Sequence, residues 1–294
     1  MTPPGPILTR EIAALPSRAD DAHKGDVGRI VILGGCCDTT LMAGAPALAA
    51  NAALRAGAGL VQLLVPEPIR TTVAVLAPCA TLRTLPSTVA GVVDAVTDFA
   101  ADTVAIGPGL GNTLEPDVLV EVLNRLAIPI VLDADGLNRL GEAKSTSLAN
   151  PDRIVMTPHT GELLRLLSAR GDDRAIGSDA DSRGAAALAL VEKYGGIAVL
   201  KGQGTIVTDG SRLYTNETGN AGMATGGMGD VLTGVIAALI GQRMDPLEAA
   251  ILGVYLHGLA GDFGAEEMGR WSLTATDLIE YLHVAFAEHQ ASSE

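Results

Sequence analysis

The stretch RIVILGG, at residues 29–35, consists of a short apolar run that ends in two glycines. Apolar residues that do not alternate with polar ones predict a strand buried on both faces, which is typical of a parallel sheet covered by helices. We therefore predict an α/β protein. The same pattern, an apolar run that ends in polar or glycine-rich residues, recurs at Leu60–Val65, Thr103–Ile106, Ile128–Leu132, Arg153–Met156 and Ile197–Leu200.

The remainder of the chain adds helices and one hairpin. Residues 205–208 and 213–215, separated by Asp209-Gly210, predict two antiparallel strands. Neither a linker nor an internal repeat interrupts the pattern, so we expect a single domain over residues 1–294. Segments rich in alanine and leucine predict helices at Met42–Ala56, Gly229–Gly241, Pro246–Phe263 and Thr274–Glu288.

The charge of the chain excludes several classes of partner. There are 20 Lys and Arg against 34 Asp and Glu, a net charge of −14. A chain this acidic is not expected to bind nucleic acid or an anionic membrane over a broad face. No apolar run approaches the ~18 residues of a membrane span. The three cysteines, Cys36, Cys37 and Cys79, form no CxxC pair and are expected to be small buried residues. We therefore expect a cytoplasmic protein.

The segment NETGNAGMATGGMGDVLTG, at residues 216–234, contains the strongest functional signal. Its glycines precede an apolar helix, whose first N–H groups form an anion site. Asp230 falls in the first turn of this helix. It could simply favour the helix dipole, but a carboxylate at an anion site also suits a base that deprotonates a substrate hydroxyl. Both the Walker A motif and GxGxxG after a strand are absent.

The run Gly226-Gly227-Met228-Gly229-Asp230 resembles the anion hole and catalytic aspartate of ribokinase-like enzymes. Over about His23 to Asp262, further motifs occur in the same order as in the ATP/ADP-dependent NAD(P)H-hydrate dehydratases. The family usually has Pro where this chain has Thr160. The shared motifs are His23-Lys24-Gly25, Gly34-Gly35, Ala56-Gly57-Ala58-Gly59-Leu60, Gly107-Pro108-Gly109-Leu110-Gly111, Asp133-Ala134-Asp135-Gly136-Leu137-Asn138, Thr157-Pro158-His159-Thr160-Gly161-Glu162, Lys201-Gly202 and Tyr255-Leu256-His257-Gly258.

This resemblance implies a ribokinase-like three-layer α/β/α fold with a mostly parallel central sheet and a core over about residues 23–290. Many family members also carry an N-terminal epimerase domain. About twenty residues precede His23, so we expect no such domain in this chain. The implied reaction dehydrates the S epimer of NAD(P)H hydrate (NADHX or NADPHX) to NAD(P)H, with ADP or ATP converted to AMP or ADP and phosphate. A homo-oligomer, in the form of a tetramer, is also implied.

The resemblance assigns a role to each candidate site residue. Asp230 would deprotonate the hydroxyl, and backbone N–H groups of Gly226, Gly227 and Gly229 would hold the transferred phosphoryl group. Mg²⁺ would bridge the nucleotide phosphates, with no protein ligand assigned. The hydrate would contact Ala45, Gly109, Gly111, His159 and Asp230, and the adenine nucleotide would contact Lys201, Gly202, Gln203, Gly204, Thr205 and Gly229.

Other interpretations of these residues stay open. Asp133 and Asp135 also fit structural turn carboxylates, and His257, in an apolar helix, fits a core histidine. A kinase of a small alcohol, such as a vitamin precursor or a sugar, would use the same Asp230 and anion hole but release a stable phosphomonoester. A regulatory module that only binds nucleotide would need no base, which disfavours it.

Overall fold

The computed structural model describes residues 5–38 and 40–293. Within them ten strands form one sheet in the order β1-β10-β9-β8-β7-β6-β5-β2-β3-β4. The strands from β2 to β8 pair in parallel, β9 is antiparallel to both of its neighbours, and β1 is parallel to β10. The strands are β1 (Ile7–Thr9), β2 (Arg29–Leu33), β3 (Leu60–Val65), β4 (Thr81–Thr84), β5 (Thr103–Ile106), β6 (Ile130–Leu132), β7 (Ile154–Met156), β8 (Ile197–Leu200), β9 (Ile206–Thr208) and β10 (Arg212–Thr215).

Helices cover both faces of the sheet. Alternate residues of β2 enter separate cores: Ile30 and Ile32 pack with α1, α8, α9 and α10, whereas Val31 and Leu33 pack with α3 to α7. Strands buried on both faces explain the unbroken apolar runs. The helices are α1 (Gly44–Arg55), α2 (Arg70–Leu76), α3 (Val89–Asp98), α4 (Pro116–Arg125), α5 (Ala134–Glu142), α6 (Thr160–Ala169), α7 (Ala180–Tyr194), α8 (Met228–Gly241), α9 (Pro246–Met268) and α10 (Ala275–Ser293).

The predictions of a mostly parallel α/β sheet and of a hairpin, which β9 and β10 form, are confirmed. Three strands are shorter than predicted, and β9 begins one residue later, at Ile206. The strand at 128–132 begins at Ile130, after Pro129, and Pro151–Arg153 forms a 3-10 turn before β7. Proline has no N–H to donate to a strand pairing, which accounts for the later start of β6.

The prediction that all three cysteines are buried is wrong for two of them. Cys36 is buried, whereas Cys37 and Cys79 are exposed. Cys37 lies in the loop between β2 and α1, and Cys79 in the turn before β4, so neither belongs to a packed face. None of the helices in the described part of the chain has the length and apolar composition that crossing a membrane requires.

The parallel strands bring distant polar residues to one edge of the sheet. The carboxyl ends of β6, β7 and β8 are adjacent, and they lead into Asp133, the Thr157-Pro158-His159 turn and Lys201. The N-terminus of α8 lies over the same edge. Loops at this edge are where open α/β sheets bind ligands. The single tryptophan, Trp271, lies fully exposed in the loop between α9 and α10.

Candidate active site

The N-terminus of α8 is shaped by two glycines. Gly227 is the N-cap residue and has φ +90°, in the left-handed region that favours glycine. A Cβ at this position would lie 2.7 Å from Leu48 Cδ1 and 2.9 Å from Ala275 Cβ. Gly226 is exposed, with open space where a Cβ would stand. The first turn of α8 therefore presents N–H groups that lack helical partners to an open surface, as an anion site requires.

Asp230 lies in this first turn and is partly buried. Burial is the main cause that raises its pKa, and the neighbouring carboxylates of Asp133, Asp135 and Glu162 add to it. The ammonium group of Lys201 acts in the opposite direction. The net result is a pKa of about 7. Such a carboxyl is poised to accept and return a proton near neutral pH.

A charge pair lies directly beneath this turn. Lys201 Nζ donates to Asp133 Oδ1 at 2.5 Å, and Thr233 Oγ1 donates to Asp133 Oδ2 at 2.8 Å. Asp133 is 1% exposed, and Lys201 Nζ would be 3.2 Å from a Cβ on Gly229. Burial would lower the pKa of Lys201, but the carboxylates of Asp133 and Glu162 outweigh it and raise this pKa. Lys201 is therefore a cation at the floor of the site.

Three residues predicted to contact the hydrate lie together. Gly109 has φ +59°, and a Cβ there would be 3.0 Å from Ala45 Cβ, so the two residues face each other closely. The N–H of Gly111 donates to Asp135 Oδ2 at 2.9 Å. Asp135 is also one of the carboxylates that act on Asp230. Gly109 and Ala45 thus approach each other closely, and Asp135 connects Gly111 to the electrostatic surroundings of the proposed base.

His159 has a local structural role. It is the N-cap of α6: its Nδ1 accepts the N–H groups of Gly161 (3.0 Å) and Glu162 (3.3 Å). Glu162 Oε2 in turn accepts the N–H of His159 at 2.8 Å, which completes a capping box. His159 also forms an isolated bridge with Lys201, and its side chain is 55% exposed. The imidazole ring can therefore cap α6 and still contact a ligand.

The segment Lys201–Thr205 is the turn that joins β8 to β9. Thr205 Oγ1 donates to the carbonyl of Gly202 at 2.9 Å, and Arg183 Nη2 donates to the carbonyl of Leu200 at 3.1 Å. Gly202 has φ +141°, while Gln203 is exposed. The turn is fixed from below by Arg183 and open above, so its backbone is available to a ligand.

His257 does not belong to the site's exposed groups. Its Nε2 lies 2.9 Å from the carbonyl oxygen of Met228, and burial lowers its pKa to about 4, so the ring is neutral at pH 7. The interpretation as a core histidine is confirmed. The interpretation of Asp133 as a turn carboxylate missed its partners Lys201 and Thr233. The sequence held one signal: Asp133 and Lys201 both follow buried parallel strands directly.

The described residues contain no group of three His, Cys, Asp or Glu side chains arranged to hold a metal ion. Glu162 is engaged in the α6 cap, and both oxygens of Asp133 are occupied by Lys201 and Thr233. The residues that the structure describes therefore do not form a metal centre on their own.

Comparisons with known proteins identify the family. The family model for NAD(P)H-hydrate dehydratase matches residues 30–283. The bifunctional NAD(P)H-hydrate repair enzyme Nnr of Moorella thermoacetica is 40% identical over 91% of this chain and 51% of its own length. The ADP-dependent (S)-NAD(P)H-hydrate dehydratase of Neisseria meningitidis is 34% identical over 86% of this chain and 82% of its own.

The chain thus spans about half the length of the bifunctional relatives that it matches. Among solved structures, the ADP/ATP-dependent NAD(P)H-hydrate dehydratase of Bacillus subtilis, co-crystallized with ATP/Mg²⁺, superposes with a TM-score of 0.74 and 28% identity. The match covers 94% of this chain and 95% of that one. Ribokinase-like superfamily proteins share the fold, as expected from the sequence. The chain therefore belongs to the NAD(P)H-hydrate dehydratase family.

Proposed function

We propose that this protein is an ADP- or ATP-dependent dehydratase of the S epimer of NAD(P)H hydrate, and so a metabolite-repair enzyme. The observation that carries this proposal is the position of Asp230. A carboxyl with a pKa of about 7 lies in the first turn of α8, beside the N–H groups that follow Gly227. The names of the Neisseria and Bacillus relatives support the same activity.

In the first step, Asp230 takes the proton of the hydroxyl on the reduced nicotinamide ring. The hydroxyl oxygen attacks the terminal phosphoryl group of the nucleotide, and the bond from that phosphorus to the leaving ADP or AMP breaks. Backbone N–H groups of Gly226, Gly227 and Gly229 donate to the phosphoryl oxygens as charge moves onto them. The His257 ring, whose Nε2 lies 2.9 Å from the carbonyl oxygen of Met228, is neutral at pH 7 and adds no positive charge near this turn.

In the second step, phosphate leaves the ring carbon with the electron pair of the C–O bond. A proton lost from the adjacent carbon restores the ring double bond. Hydroxide is a poor leaving group and phosphate a good one, which is the physical reason for the use of a nucleotide. Ala45, Gly109, Gly111 and His159 are proposed to hold the hydrate, with Asp230 at its hydroxyl.

The nucleotide is proposed to bind along Lys201, Gly202, Gln203, Gly204 and Thr205, with its phosphates directed to Gly229. Mg²⁺, when bound, would offset the charge of those phosphates. Since the described residues form no metal centre of their own, we propose that this ion is held by the nucleotide phosphates. No step above depends on a protein ligand to it.

One assay tests the proposal. Incubation of the protein with NADPH hydrate, Mg²⁺ and either ADP or ATP should restore the absorbance of reduced nicotinamide and release phosphate in equal amount. Formation of a stable phosphorylated alcohol without NADPH would instead indicate a small-alcohol kinase. No consumption of nucleotide with either hydrate epimer would contradict the dehydratase activity.

Two further features belong to the proposal. We propose a cytoplasmic location, supported by the cysteine pattern, and a homo-oligomer in the form of a tetramer, supported by the resemblance stated above and by the alanine- and glycine-rich composition. We also propose that residues 1–294 form one dehydratase domain, supported by the single sheet that joins β1 to β4.

A further inference from the structure

We propose that Asp133 and Lys201 form a buried charge pair that sets the pH at which Asp230 becomes a base, with Asp133 and Thr233 as positioning residues. This inference rests on the proposed function of Asp230. The sequence left the role of Asp133 open, with a structural turn carboxylate as one interpretation, and did not single out Thr233. The inference also gives the Lys201 ammonium group a role distinct from that of its backbone in the nucleotide segment.

The geometry commits the ammonium group to Asp133. Lys201 Nζ donates to Asp133 Oδ1 at 2.5 Å, and the other carboxylate oxygen accepts from Thr233 Oγ1 at 2.8 Å. The pair joins the ends of β6 and β8 to α8, because Thr233 lies one turn after Asp230 on that helix. The Asp133 side chain is 1% exposed, so this arrangement excludes water from one side of the carboxylate.

The pair is also close enough to act on Asp230. Lys201 Nζ would be 3.2 Å, and Asp133 Oδ2 3.8 Å, from a Cβ on Gly229, the residue before Asp230. The charges of Lys201 and Asp133 lie close together and have opposite effects on the Asp230 carboxyl. The cation favours its ionised form, and the anion disfavours it. Removal of Lys201 should therefore raise the pKa of Asp230, whereas removal of Asp133 should lower it.

Other titratable groups lie around Asp230 and also bear on its ionisation. Asp135 on α5 and Glu162 on α6 both disfavour its ionisation. Asp135 accepts the N–H of Gly111 and a hydrogen from the Asn138 amide at 3.2 Å, while Glu162 is fixed in the α6 cap. His257 on α9 is neutral at pH 7. Lys201 is thus the cation that offsets these three acidic neighbours, Asp133, Asp135 and Glu162.

The test compares the pH dependence of kcat/KM in three variants, since the acid limb reports the base of the free enzyme. Lys201→Met should move the acid limb to higher pH, by about 1–3 units for loss of a close opposite charge. Asp133→Asn should move it to lower pH. The double variant, Asp133→Asn with Lys201→Met, should return it toward the wild-type position, because both charges are gone.

A matched control removes an ion pair far from Asp230. Lys144 Nζ and Asp117 Oδ2 lie 3.2 Å apart on the surface, so Lys144→Met should leave the acid limb unchanged. If Lys201→Met does not fold, the difference in the position of the acid limb between Asp133→Asn and the double variant still tests the inference. Shifts in the same direction, or none, would overturn it. An unchanged acid limb with weaker ADP binding at every pH would also overturn it and assign the ammonium group to the nucleotide.

A second readout separates this inference from the proposed function. Carboxyl ¹³C NMR of the protein labelled at aspartate, with Asp230→Asn to identify the signal, measures the titration of Asp230 without turnover. If the wild-type protein shows no dehydratase activity, the proposed function fails. Shifts of the Asp230 titration midpoint in opposite directions in the two single variants would still support the charge pair. Titration curves of these variants that coincide with the wild-type curve would overturn it.

Discussion

At the scale of single residues, the site combines one acid with several groups that disfavour its charge. Asp230 is partly buried, and the carboxylates of Asp133, Asp135 and Glu162 disfavour its ionised form, whereas Lys201 favours it. A surface aspartate at a helix N-terminus would be fully ionised at pH 7 and would merely favour the helix dipole. The surroundings of Asp230 therefore distinguish it from a capping residue and give it the protonation range of a base.

Asp230→Asn should lower turnover of NADPH hydrate by about 10²–10⁴-fold, because a general base contributes an effect of that size. Affinity for ADP should stay the same or rise, since a negative charge beside the phosphates is lost. Steady-state kinetics and calorimetry measure the two effects. As a control, Asp117→Asn changes an acidic residue in the first turn of α4 and should leave both values unchanged. Near-normal turnover in folded Asp230→Asn would refute the mechanism.

The same substitution should have a pH-dependent effect on the free energy of unfolding. The pKa of Asp230 rises from 3.8 to about 7 on folding, so the native state holds this proton more tightly than the unfolded state. Wild-type protein should therefore lose stability relative to Asp230→Asn as pH rises from about 4 to 7, with a constant difference above that range. Urea unfolding at several pH values measures this difference.

Asp117→Asn should have the opposite pH-dependent effect on the free energy of unfolding. Hydrogen bonds from the N–H and side chain of Lys144 lower the pKa of Asp117. Its contribution to stability is therefore present at neutral pH and disappears as pH falls through the folded pKa. Equal pH dependence in the Asp230 and Asp117 variants would show that the unfolding data do not report Asp230 itself.

At the scale of secondary-structure elements, the two turns that meet the ligands have different supports. The turn before α8 is formed by backbone geometry: Gly227 has a positive φ and packs against Leu48 and Ala275. The turn after β8 is supported by Arg183, whose guanidinium group donates to the carbonyls of Leu200 and Lys201. Substitutions in the two turns should therefore have distinct consequences.

Gly227→Ala should lower the free energy of unfolding by about 1–3 kcal/mol, because a side chain at positive φ is strained and this one also meets Leu48. Gly226→Ala is the matched control, since a Cβ there meets nothing within 4 Å. It should leave stability unchanged or slightly higher. Urea unfolding followed by circular dichroism compares the two. Equal stability of the two variants would contradict the need for glycine at residue 227.

Gly202→Val should weaken ADP binding far more than hydrate binding, because the side chain blocks approach to the backbone of the proposed nucleotide segment. Residue 202 also has φ +141°, so backbone strain needs its own control. Gly171→Val provides it: Gly171 has φ +72°, nothing lies within 4 Å of its Cβ position, and it follows α6 outside the site. Calorimetry with both ligands should show a selective loss for Gly202→Val alone.

The central elements were predictable because their physical signal is local. The run RIVIL and the other buried strands need an apolar side chain at every position, whichever face it occupies. The strand β1 was not predicted, because Ile7 and Leu8 are exposed and only three residues pair. The strand β4 was missed for a similar reason: three of its four residues, Thr81, Arg83 and Thr84, are exposed at the sheet edge.

The site was predictable only in part. The glycines and Asp230 lie in one continuous segment, so the sequence alone indicated an anion site with an acid beside it. Asp133 and Lys201 are 68 residues apart, and Thr233 is 100 residues from Asp133. Their contacts arise only when β6 and β8 stand on either side of β7. The cap role of His159 depends on a helix, α6, that the sequence analysis did not predict.

At the scale of the whole molecule, the net charge favours the binding of anionic ligands by local N–H groups rather than by long-range attraction. The net charge is −14, so phosphate-bearing substrates are repelled at a distance. In the proposed function, they are held instead by the N–H groups at the start of α8 and by the backbone after β8. Binding of ADP should accordingly strengthen as ionic strength rises from very low values, since salt screens the long-range repulsion.

The assembly proposed above predicts a mass well above that of one chain. Light scattering at micromolar concentration should give a multiple of 30.0 kDa, and a tetramer should give four times this value. This expectation rests on the family resemblance, because the six alanines of α1 are buried within the chain itself. A species of 30.0 kDa alone, in protein that is folded by circular dichroism, would contradict the assembly.

The position of Trp271 determines which optical signals can report on this protein. Its indole ring is surrounded by water in the native chain and would be equally hydrated after unfolding. Intrinsic tryptophan fluorescence should therefore change little in a urea titration that abolishes the helical signal. The same property makes the ring a sensor of the outside of the molecule. A blue shift of its emission would report that another surface has covered the loop between α9 and α10.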